Sequence, residues 1–412
     1  MGQSGRIGTD GRGGATCYHR PENTGNDRVS LPPNSPSRLV DPLSLEIALK
    51  ERASQLGFDL CGIAAAVRPE GFEWLRRWLD CGFAGEMEYI PRREAAYEHP
   101  SGVLPPVRSV VMLAMNYFVG QVFNLPGAAD SDGQVGNLLH GKIASYAVGS
   151  RDYHDVLRER MKSLADFLHE QRPGCRTRGC VDSAPLLERD FARLAGLGWF
   201  GKNTMLINKR AGSFFFLAAL LTDIELQPDE PHNTSHCGTC TRCLDACPTD
   251  AFVEPYVLDA RKCISYLTIE LREQPIPIEL RSQMGDWIFG CDICQDVCPW
   301  NRKAAASNEP AFAPREQLNP VNLEWLLSLD DAGFEAAFAG TPQHRTGRAA
   351  LLRNAAIALG NSRDPQAVPV LERATHDPEP LVREAAEWAQ TNLASRAASA
   401  PGLITGDETS GG

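Results

Sequence analysis

The chain has 412 residues, of which 43% are hydrophobic, and a formal net charge of −11. This length predicts two or three domains. No run of eighteen apolar residues occurs, so the sequence predicts no membrane span. The apolar core of a secretory signal is also lacking, and the thirteen cysteines therefore indicate a cytoplasmic protein with reduced thiols. The acidic balance does not favour nucleic-acid binding by the chain as a whole, although it leaves room for a local basic patch.

Helical and strand-like segments alternate through the first half of the chain. The apolar periodicity predicts helices over 43–56, 72–79, 152–171 and 185–194. Strands are predicted over 58–66, 109–118, 143–148 and 213–222. Asp152 is placed to cap the third of these helices. Such alternation over residues 43–225 is typical of an α/β domain.

Eight cysteines between Cys237 and Cys298 carry the strongest chemical signal of the sequence. The first run, residues 237–248, reads C-x2-C-x2-C-x3-C-P, and the second, residues 291–299, reads C-x2-C-x3-C-P. The first pattern is that of bacterial ferredoxins, in which eight thiolates hold two four-iron cubane clusters. Zinc is the alternative for C-x2-C pairs, but a zinc ribbon uses two separated pairs and needs no following proline.

The ferredoxin pattern also predicts how the cysteines are shared, because the last cysteine of each run binds the other cluster. Cys263 supplies the ligand that the shorter second run lacks. We therefore expect the first cluster to be held by Cys237, Cys240, Cys243 and Cys298. We expect the second cluster to be held by Cys247, Cys263, Cys291 and Cys294.

Several motifs in a fixed order resemble the epoxyqueuosine reductase family. They are residues 181–189 (VDSAPLLER), 195–204 (AGLGWFGKNT), 263–268 (CISYLT) and 290–299 (GCDICQDVCP). Tyr146-Ala147 and Asp152-Tyr153-His154 stand before them. The resemblance runs from about residue 43 to residue 392.

The resemblance implies a cytoplasmic oxidoreductase that reduces the epoxide of epoxyqueuosine at the wobble position of tRNA, the last step of queuosine biosynthesis. It implies cobalamin beside the two 4Fe–4S clusters, a flavodoxin- or ferredoxin-like electron donor, and a monomer that binds no membrane. A cobalamin-dependent reductive dehalogenase and a non-catalytic ferredoxin-type carrier subunit are the alternatives. A dehalogenase usually carries a twin-arginine export signal, and a carrier needs no acid ahead of the clusters.

A domain layout follows from the motifs and the resemblance. We expect an α+β or α/β fold, with disordered ends at 1–40 and 395–412 and a cobalamin-binding domain at 41–226. A ferredoxin-type two-cluster domain is expected at 227–305. Residues 351–361 (LLRNAAIALGN) are echoed by residues 381–389 (LVREAAEWA), which predicts HEAT-like helical repeats over 306–394. Two unrelated alanine-rich helices are the alternative.

Asp182 matches the proton donor proposed for the family. A carboxyl in a closed, apolar pocket has a raised pKa and can stay protonated near neutral pH. Asp182 could also cap a helix starting near Pro185, since Asp-x-x-Pro is common at helix starts. Glu188 is expected to form a salt bridge, and His154 to be a capping or core residue rather than a cobalt ligand.

The resemblance further implies a set of cobalamin contacts. They are Arg92, Ala147, Asp182, Asn203, Thr204, Ser265, Cys291 and Asp292, with Arg93 as the alternative to Arg92. A second arginine common in the family is replaced here by Tyr97. For tRNA phosphates, the candidate basic residues are Arg302, Lys303, Arg345, Arg348 and Arg353.

Overall fold

The structure, a computed structural model, describes residues 44–120, 139–362 and 364–398. The predicted extension at 1–40 lies outside the described residues. So does the predicted tail, except for residues 395–398, which end the last helix.

Helices and strands alternate along the described chain. The helices are α1 (Leu45–Gln55), α2 (Gly71–Asp80), α3 (Glu94–Tyr97), α4 (Tyr153–Gln171), α5 (Glu188–Leu194), α6 (Arg242–Asp245), α7 (Ile264–Ile269), α8 (Ile278–Arg281), α9 (Ile293–Asp296), α10 (Leu323–Leu327), α11 (Asp331–Phe338), α12 (Arg348–Asn361), α13 (Ala367–Ala374) and α14 (Pro380–Ala398). The strands are β1 (Leu60–Ala65), β2 (Ser109–Asn116), β3 (His140–Ile143), β4 (Thr177–Cys180), β5 (Trp199–Phe200), β6 (Leu206–Ile207), β7 (Phe215–Thr222), β8 (Phe252–Glu254), β9 (Val257–Leu258), β10 (Trp287–Phe289) and β11 (Val321–Asn322).

The largest sheet has four strands in the order β1-β2-β7-β4, and every neighbouring pair is antiparallel. The fold of this part is therefore α+β, since this sheet has no parallel pair, and the parallel pair β3–β10 belongs to a separate three-stranded sheet. Alternation of helices and strands predicted the elements but not the strand directions. Long connections, such as the one from β1 to β2, can return a strand in either direction.

Both faces of this sheet are covered, and all eight residues of β2 are buried. Val111 and Leu113 face one hydrophobic cluster, which includes residues of α1 and α4. Val110 and Met112 face the opposite cluster, which includes residues of α5. A strand buried on both faces reads as a continuous apolar run, which is how β2 appears in the sequence.

Most of the predicted elements are confirmed with small shifts of their ends. Asp152 caps α4 as predicted, since its carboxylate accepts the backbone N–H of His154 at 3.0 Å. The strand predicted over 143–148 is wrong except at Ile143, its first residue. The strand β3 ends at Ile143, and a 3-10 turn follows over Ser145–Ala147. Ser145 leaves the strand because its backbone N–H and hydroxyl both bind the carboxylate of Asp292.

A second core joins the cysteine region to the C-terminal helices. The three-stranded sheet β10-β3-β11 packs in one hydrophobic cluster with residues of α7, α10, α12 and α14. The predicted two-cluster domain and the predicted helical domain thus share one core. The predicted boundaries at 226, 305 and 394 stay predictions.

The helix α12 lies at the centre of this shared core, and all residues from Ala350 to Gly360 are buried. A helix that is apolar on most of its faces is expected to be enclosed, and the polar residues Arg353 and Asn354 of α12 are buried with the rest. The two sequence echoes lie in α12 and α14. These helices approach closely, because a Cβ on Gly360 would lie 2.6 Å from that of Ala389. The HEAT-like repeat itself stays a prediction.

Within the described residues, no helix combines the length and the apolar character needed to cross a membrane.

Candidate redox site

The first group of thiols consists of Cys237, Cys240 and Cys298 with Cys243 of α6. The electrostatic surroundings of Cys243 include Cys237, Cys298 and Cys240, and burial raises the pKa of this thiol to about 11. Burial also raises the pKa of Cys298, with the neighbouring thiols Cys237 and Cys240 adding to the effect. The four cysteines that the ferredoxin pattern assigns to the first cluster are thus electrostatic neighbours, and their assignment to one cluster stays a prediction.

The second group consists of four partly buried thiols, Cys247, Cys263, Cys291 and Cys294. Burial raises the pKa of Cys291, and Cys263 and Cys247 are among its charged neighbours. The pKa of Cys294 is raised well above its ordinary value by burial, with Cys291 and Cys263 as the next contributors. These are the four cysteines expected at the second cluster. Buried thiols of this kind lose their protons when iron binds them, because the metal charge favours the thiolate.

One turn touches both groups of thiols. The Nζ of Lys202 donates to the carbonyls of Gly238 at 2.8 Å and Cys240 at 3.0 Å. The buried amide of Asn203 donates to the carbonyl of Cys294 at 3.2 Å. Asn203, expected as a cobalamin contact, therefore holds the second cysteine loop. Sequence-based prediction did not select Lys202 as a site residue. Its position beside Asn203, within the motif at residues 195–204, was the signal that could have identified it.

A buried polar network holds the second cysteine loop, residues 291–298, in place. The Nε2 of Gln295 donates to the carbonyl of Ser213 at 3.0 Å, and the Nδ2 of Asn301 donates to the carbonyl of Gln295 at 2.7 Å. The Oδ1 of Asn301 accepts the backbone N–H of Ser213 at 2.7 Å. These residues were also missed, since no local pattern distinguishes a buried amide from an exposed one. The network fixes the loop against the start of β7.

Asp182 lies in the loop between β4 and α5, in the left-handed backbone region with φ +50°. Its side chain is 50% exposed, so the protein side chains do not form the closed pocket that was expected around it. The hydroxyl of Tyr153 donates a hydrogen bond to Oδ2 of Asp182. Burial and the Asp182 charge raise the pKa of Tyr153 well above its ordinary value, which keeps this donor protonated.

The helix-cap interpretation of Asp182 is wrong. The helix α5 begins at Glu188, and its N-cap, Leu187, makes no side-chain capping bond. Instead, the backbone N–H of Asp182 donates to Oε1 of Glu188 at 3.0 Å. Burial raises the pKa of Glu188 well above its ordinary value, and the carboxylate of Asp182 adds to that shift. Glu188 thus holds the Asp182 loop, a role different from the expected salt bridge.

His154 stands between two carboxylates. Its Nδ1 lies 2.9 Å from Oδ1 of Asp152, and its Nε2 lies 3.6 Å from Oδ2 of Asp182. Burial lowers the pKa of His154, and the charge of Asp182 opposes that shift. His154 is therefore more than the capping or core residue that was expected. It is a neighbour of the candidate acid and is oriented by Asp152, which also forms an ion pair with Arg345.

Three more of the expected cobalamin contacts, Asp292, Ala147 and Ser265, form hydrogen bonds within the protein. The carboxylate of Asp292, 2% exposed, accepts the backbone N–H of Ser145 at 2.6 Å and its hydroxyl at 2.7 Å. Burial raises the pKa of Asp292, and these two bonds oppose the shift. The carbonyl of buried Ala147 accepts Nε2 of Gln343 at 2.6 Å. Ser265 follows Cys263 in α7, and its backbone N–H faces the Cys263 thiol.

Tyr146 lies between the second thiol group and the candidate acid. Its ring packs edge-on against Tyr153 at 5.8 Å, and burial raises its pKa. The charges of both Asp182 and Asp292 reach its hydroxyl. Two rings, Tyr146 and Tyr153, therefore connect Gly290, beside Cys291, to the loop that carries Asp182.

The two adjacent arginines that were candidates for a cofactor contact point in different directions. Arg92 is 73% exposed and forms an ion pair with Glu88. The Nη1 of Arg93 donates to the carbonyl of Ser183 at 3.0 Å, beside Asp182. Of the two, Arg93 is the one that reaches the candidate site.

The structure places Thr204, with φ +64°, so that its carbonyl accepts a hydrogen bond from Arg189.

The structure excludes two of the five basic residues expected to meet tRNA. Arg353 is fully buried, and its guanidinium donates to the carbonyls of Leu267 and Leu271. Arg348 is 9% exposed and forms an ion pair with Asp377 at 2.5 Å. Both residues are used for packing inside the protein and cannot reach a phosphate. Arg302 and Lys303 are exposed, and Arg345 is 42% exposed beside Tyr153.

Family comparisons agree with this arrangement. Residues 236–301 match the family of 4Fe-4S double cluster binding domains. Residues 98–183 match the family described as epoxyqueuosine reductase QueG. The epoxyqueuosine reductase of Pseudomonas aeruginosa is 42% identical over 85% of this chain and 94% of its own length. The chain belongs to the epoxyqueuosine reductase family.

Other members of the family show the same likeness. The Escherichia coli epoxyqueuosine reductase is 40% identical over 86% of this chain and 90% of its own length. A solved epoxyqueuosine reductase in complex with an epoxyqueuosine-modified tRNA-Tyr stem loop is 32% identical, with a TM-score of 0.75 over 84% of this chain and 89% of that one. The Bacillus subtilis enzyme, solved with an aspartate catalytic loop swung out of the active site, has a TM-score of 0.74 at the same identity and coverage.

Proposed function

We propose that this chain is an epoxyqueuosine reductase that converts epoxyqueuosine in tRNA to queuosine. The observation that supports the proposal is a half-exposed, hydrogen-bonded Asp182 that is connected through Tyr153 and Tyr146 to Gly290, beside Cys291. The names of the family members and the tRNA stem loop bound to one of them support this substrate. The dehalogenase and carrier alternatives lack such support.

The reaction needs both halves of the site. Opening an epoxide to an alkene and water consumes two electrons and two protons. A cubane cluster passes one electron at a time, so two clusters in series can deliver the pair in two steps. We assign the first cluster to Cys237, Cys240, Cys243 and Cys298. We assign the second cluster to Cys247, Cys263, Cys291 and Cys294, next to Tyr146.

Cobalamin fits the residues present between the second cluster and Asp182. The charges of Asp292 and Asp182 both act on the hydroxyl of Tyr146, so a redox group beside this ring would be near both the proposed electron source and the acid. When bound, cobalamin would supply a cobalt that collects two electrons and acts as a nucleophile. We propose that it is held by Arg93 or Arg92, Ala147, Thr204, Ser265, Cys291 and Asp292, with Asn203 holding the adjacent loop.

The protein's own groups manage the proton. Asp182 is the proposed donor to the leaving oxygen, and the aspartate catalytic loop of the Bacillus subtilis relative supports that role. The hydroxyl of Tyr153 fixes Oδ2 of Asp182, and His154 lies 3.6 Å from the same oxygen. General acid catalysis by a positioned group contributes about 100- to 10,000-fold. The half-exposed position of Asp182 leaves its carboxyl accessible to a substrate.

The tRNA has to present its modified base to this site. A base that reacts inside an enzyme pocket is first turned out of its stack. We propose that exposed Arg302 and Lys303 bind phosphates, and that Arg345, beside Tyr153, meets the anticodon near the pocket. A flavodoxin- or ferredoxin-like carrier would supply electrons to a monomeric, cytoplasmic enzyme.

The test is anaerobic turnover by the reconstituted protein. The protein is loaded with iron and sulfide, reduced, and mixed with epoxyqueuosine tRNA with or without cobalamin. We expect queuosine, detected by mass spectrometry of the digested tRNA, only when cobalamin is present. A protein that holds zinc instead of iron, or that makes no queuosine with all cofactors bound, would contradict the proposal. Iron clusters without affinity for a corrin would favour the carrier alternative.

A further inference from the structure

Four aromatic and imidazole rings pack around the first thiol group. The ring of Trp199 lies 5.1 Å from that of Trp300, 4.7 Å from that of His236 and 5.5 Å from that of His232. Trp199 forms a small hydrophobic cluster with Ile207 and Cys298, against which Cys237 and Trp300 pack. The two cysteines that begin and end the first cluster's ligand set therefore share a packed environment with Trp199.

The indole N–H of Trp199 has no acceptor. The side chain is 2% exposed, and Nε1 is a buried atom without a hydrogen-bond partner among the described residues. A buried donor left without a partner costs about 1–3 kcal/mol, and tryptophan usually bonds this group when it is buried. The backbone of Trp199 pairs with Ile207 in the strand pair β5–β6, and its side chain packs against Cys298 and the ring of Trp300.

An iron–sulfur cluster would provide the missing acceptor. Its sulfides and thiolate sulfurs carry negative charge, and hydrogen bonds to them help to set the reduction potential. We propose that the indole N–H of Trp199 donates a hydrogen bond to a sulfur of the first cluster and raises the reduction potential of that cluster. This inference rests on the cluster assignment made under the proposed function.

The direction of the effect follows from charge. An external one-electron reductant adds one electron to the oxidised cluster, and no bond or proton changes. The reduced cluster is more negative by one charge, so a hydrogen bond to its sulfur is stronger in the reduced state. Trp199 therefore favours the reduced state of this cluster, which lets a weaker reductant load it.

The competing possibility is an N–H···π contact with His236, whose ring lies edge-on to Trp199 at an interplanar angle of 80°. Such a contact would satisfy the N–H without a sulfur. It predicts that the potential of the cluster does not depend on the indole N–H. Measurement of the potential therefore separates the two.

The test is an anaerobic redox titration of the full-length reconstituted protein at fixed pH, followed by electron paramagnetic resonance. For Trp199→Phe we expect about a tenfold fall in the equilibrium constant for one-electron reduction of one cluster, which is about 59 mV, while the other cluster is unchanged. Trp300→Phe is the matched control, because it removes an indole from the same ring cluster and leaves the Trp199 N–H in place. We expect no shift in this control.

A second experiment keeps the test valid where Trp199→Phe fails to hold its cluster. Wild-type protein labelled with ¹⁵N in the indole ring should show a nitrogen hyperfine coupling to the reduced first cluster. A tryptophan analogue with sulfur in place of the N–H keeps the ring shape and should lower the potential.

Unchanged potentials in Trp199→Phe or in the analogue, with full iron content, would overturn the inference and leave the proposed function intact. The absence of the ¹⁵N coupling in wild type would do the same. A wild-type protein that binds no iron would instead end the proposed function.

Discussion

Two regions of the site differ in how their polar side chains are bonded. One is the buried pair Arg353 and Asn354 of α12, here called the floor, and the other is the loop that carries Asp182. In the floor, Arg353 and Asn354 of α12 are both fully buried. The Nδ2 of Asn354 donates to the carbonyls of Thr268 and Ile288, each at 2.9 Å. In the loop, the side chain of Asp182 is 50% exposed and has one hydroxyl donor, Tyr153.

The difference separates a scaffold from a reacting group. All the hydrogen-bonding groups of the floor serve to hold two elements in place. These are α7, which follows Cys263, and β10, which precedes Cys291. An iron–sulfur cluster needs ligands whose positions do not change during electron transfer. Asp182 keeps an accessible carboxylate because it has to meet a substrate that enters from outside.

Asp182→Asn should give the largest effect on activity. The asparagine has the same shape and can still accept the hydrogen bond of Tyr153, but it cannot deliver a proton. We expect at least about a 100-fold loss of turnover on epoxyqueuosine tRNA, measured by mass spectrometry of the tRNA nucleosides. Iron and corrin contents should equal those of the wild type.

The control for this variant is Asp166→Asn, which changes an exposed aspartate in the same half of the protein, on α4. Its turnover should match that of the wild type. Normal turnover in Asp182→Asn would show that Asp182 is not the proton donor. The Asp182 loop would then no longer count as the reacting region in the comparison with the floor.

Arg353→Met should break the floor. The change leaves the carbonyls of Leu267, Leu271 and Gln274, which now accept from the guanidinium at 2.6–2.9 Å, without that donor. Unsatisfied buried groups cost about 1–3 kcal/mol each, so we expect a loss of roughly 3 kcal/mol after relaxation. The measurement is the urea midpoint together with the iron content.

Arg373→Met provides the matched control, since Arg373 is 61% exposed and forms a surface ion pair with Glu324. Exposed pairs of this kind contribute about 0–1 kcal/mol, so its midpoint should barely move. Equal midpoints for the two variants would show that the buried guanidinium is not an anchor of the floor.

The burial of Arg353 also shows where sequence-based prediction ends. Helices, strands and the cysteine pattern depend on residues that are neighbours in the chain, and their local spacing was enough to predict α1, α4, β2 and β7. The partners of Arg353 lie 79 to 86 residues away, and nothing near it in the sequence marks it as different from an exposed arginine. It was therefore taken for a tRNA contact.

The candidate site shows the same limit. The family motif pointed to Asp182, but the bond from its backbone to Glu188 and the approach of His154 depend on how the loop folds. The cap interpretation failed because Asp-x-x-Pro is a local pattern, and the loop takes a left-handed residue at Asp182 that delays the helix to Glu188. Strand direction was undetermined for a related reason, since pairing partners are distant in the chain.

Glu188→Gln should give the smallest effect. It sharpens the comparison between the floor and the Asp182 loop, because Glu188 connects the protein interior to the accessible carboxyl of Asp182. The pKa of Glu188 is raised in the folded protein by burial and by Asp182, so the folded state keeps a proton that the unfolded state releases above a pKa of about 4.3. Stability from this group is therefore fully present below about pH 4.3 and falls as pH rises through the raised folded pKa.

Glutamine keeps Oε1 as the acceptor for the Asp182 N–H and does not titrate. The melting temperature of Glu188→Gln relative to wild type should therefore rise from pH 4 to pH 8, whereas exposed Glu170→Gln should show no such trend. A difference that is constant across this range would mean that Glu188 is as freely ionised as a surface carboxylate, and that the Asp182 loop is not held by a protonated carboxyl.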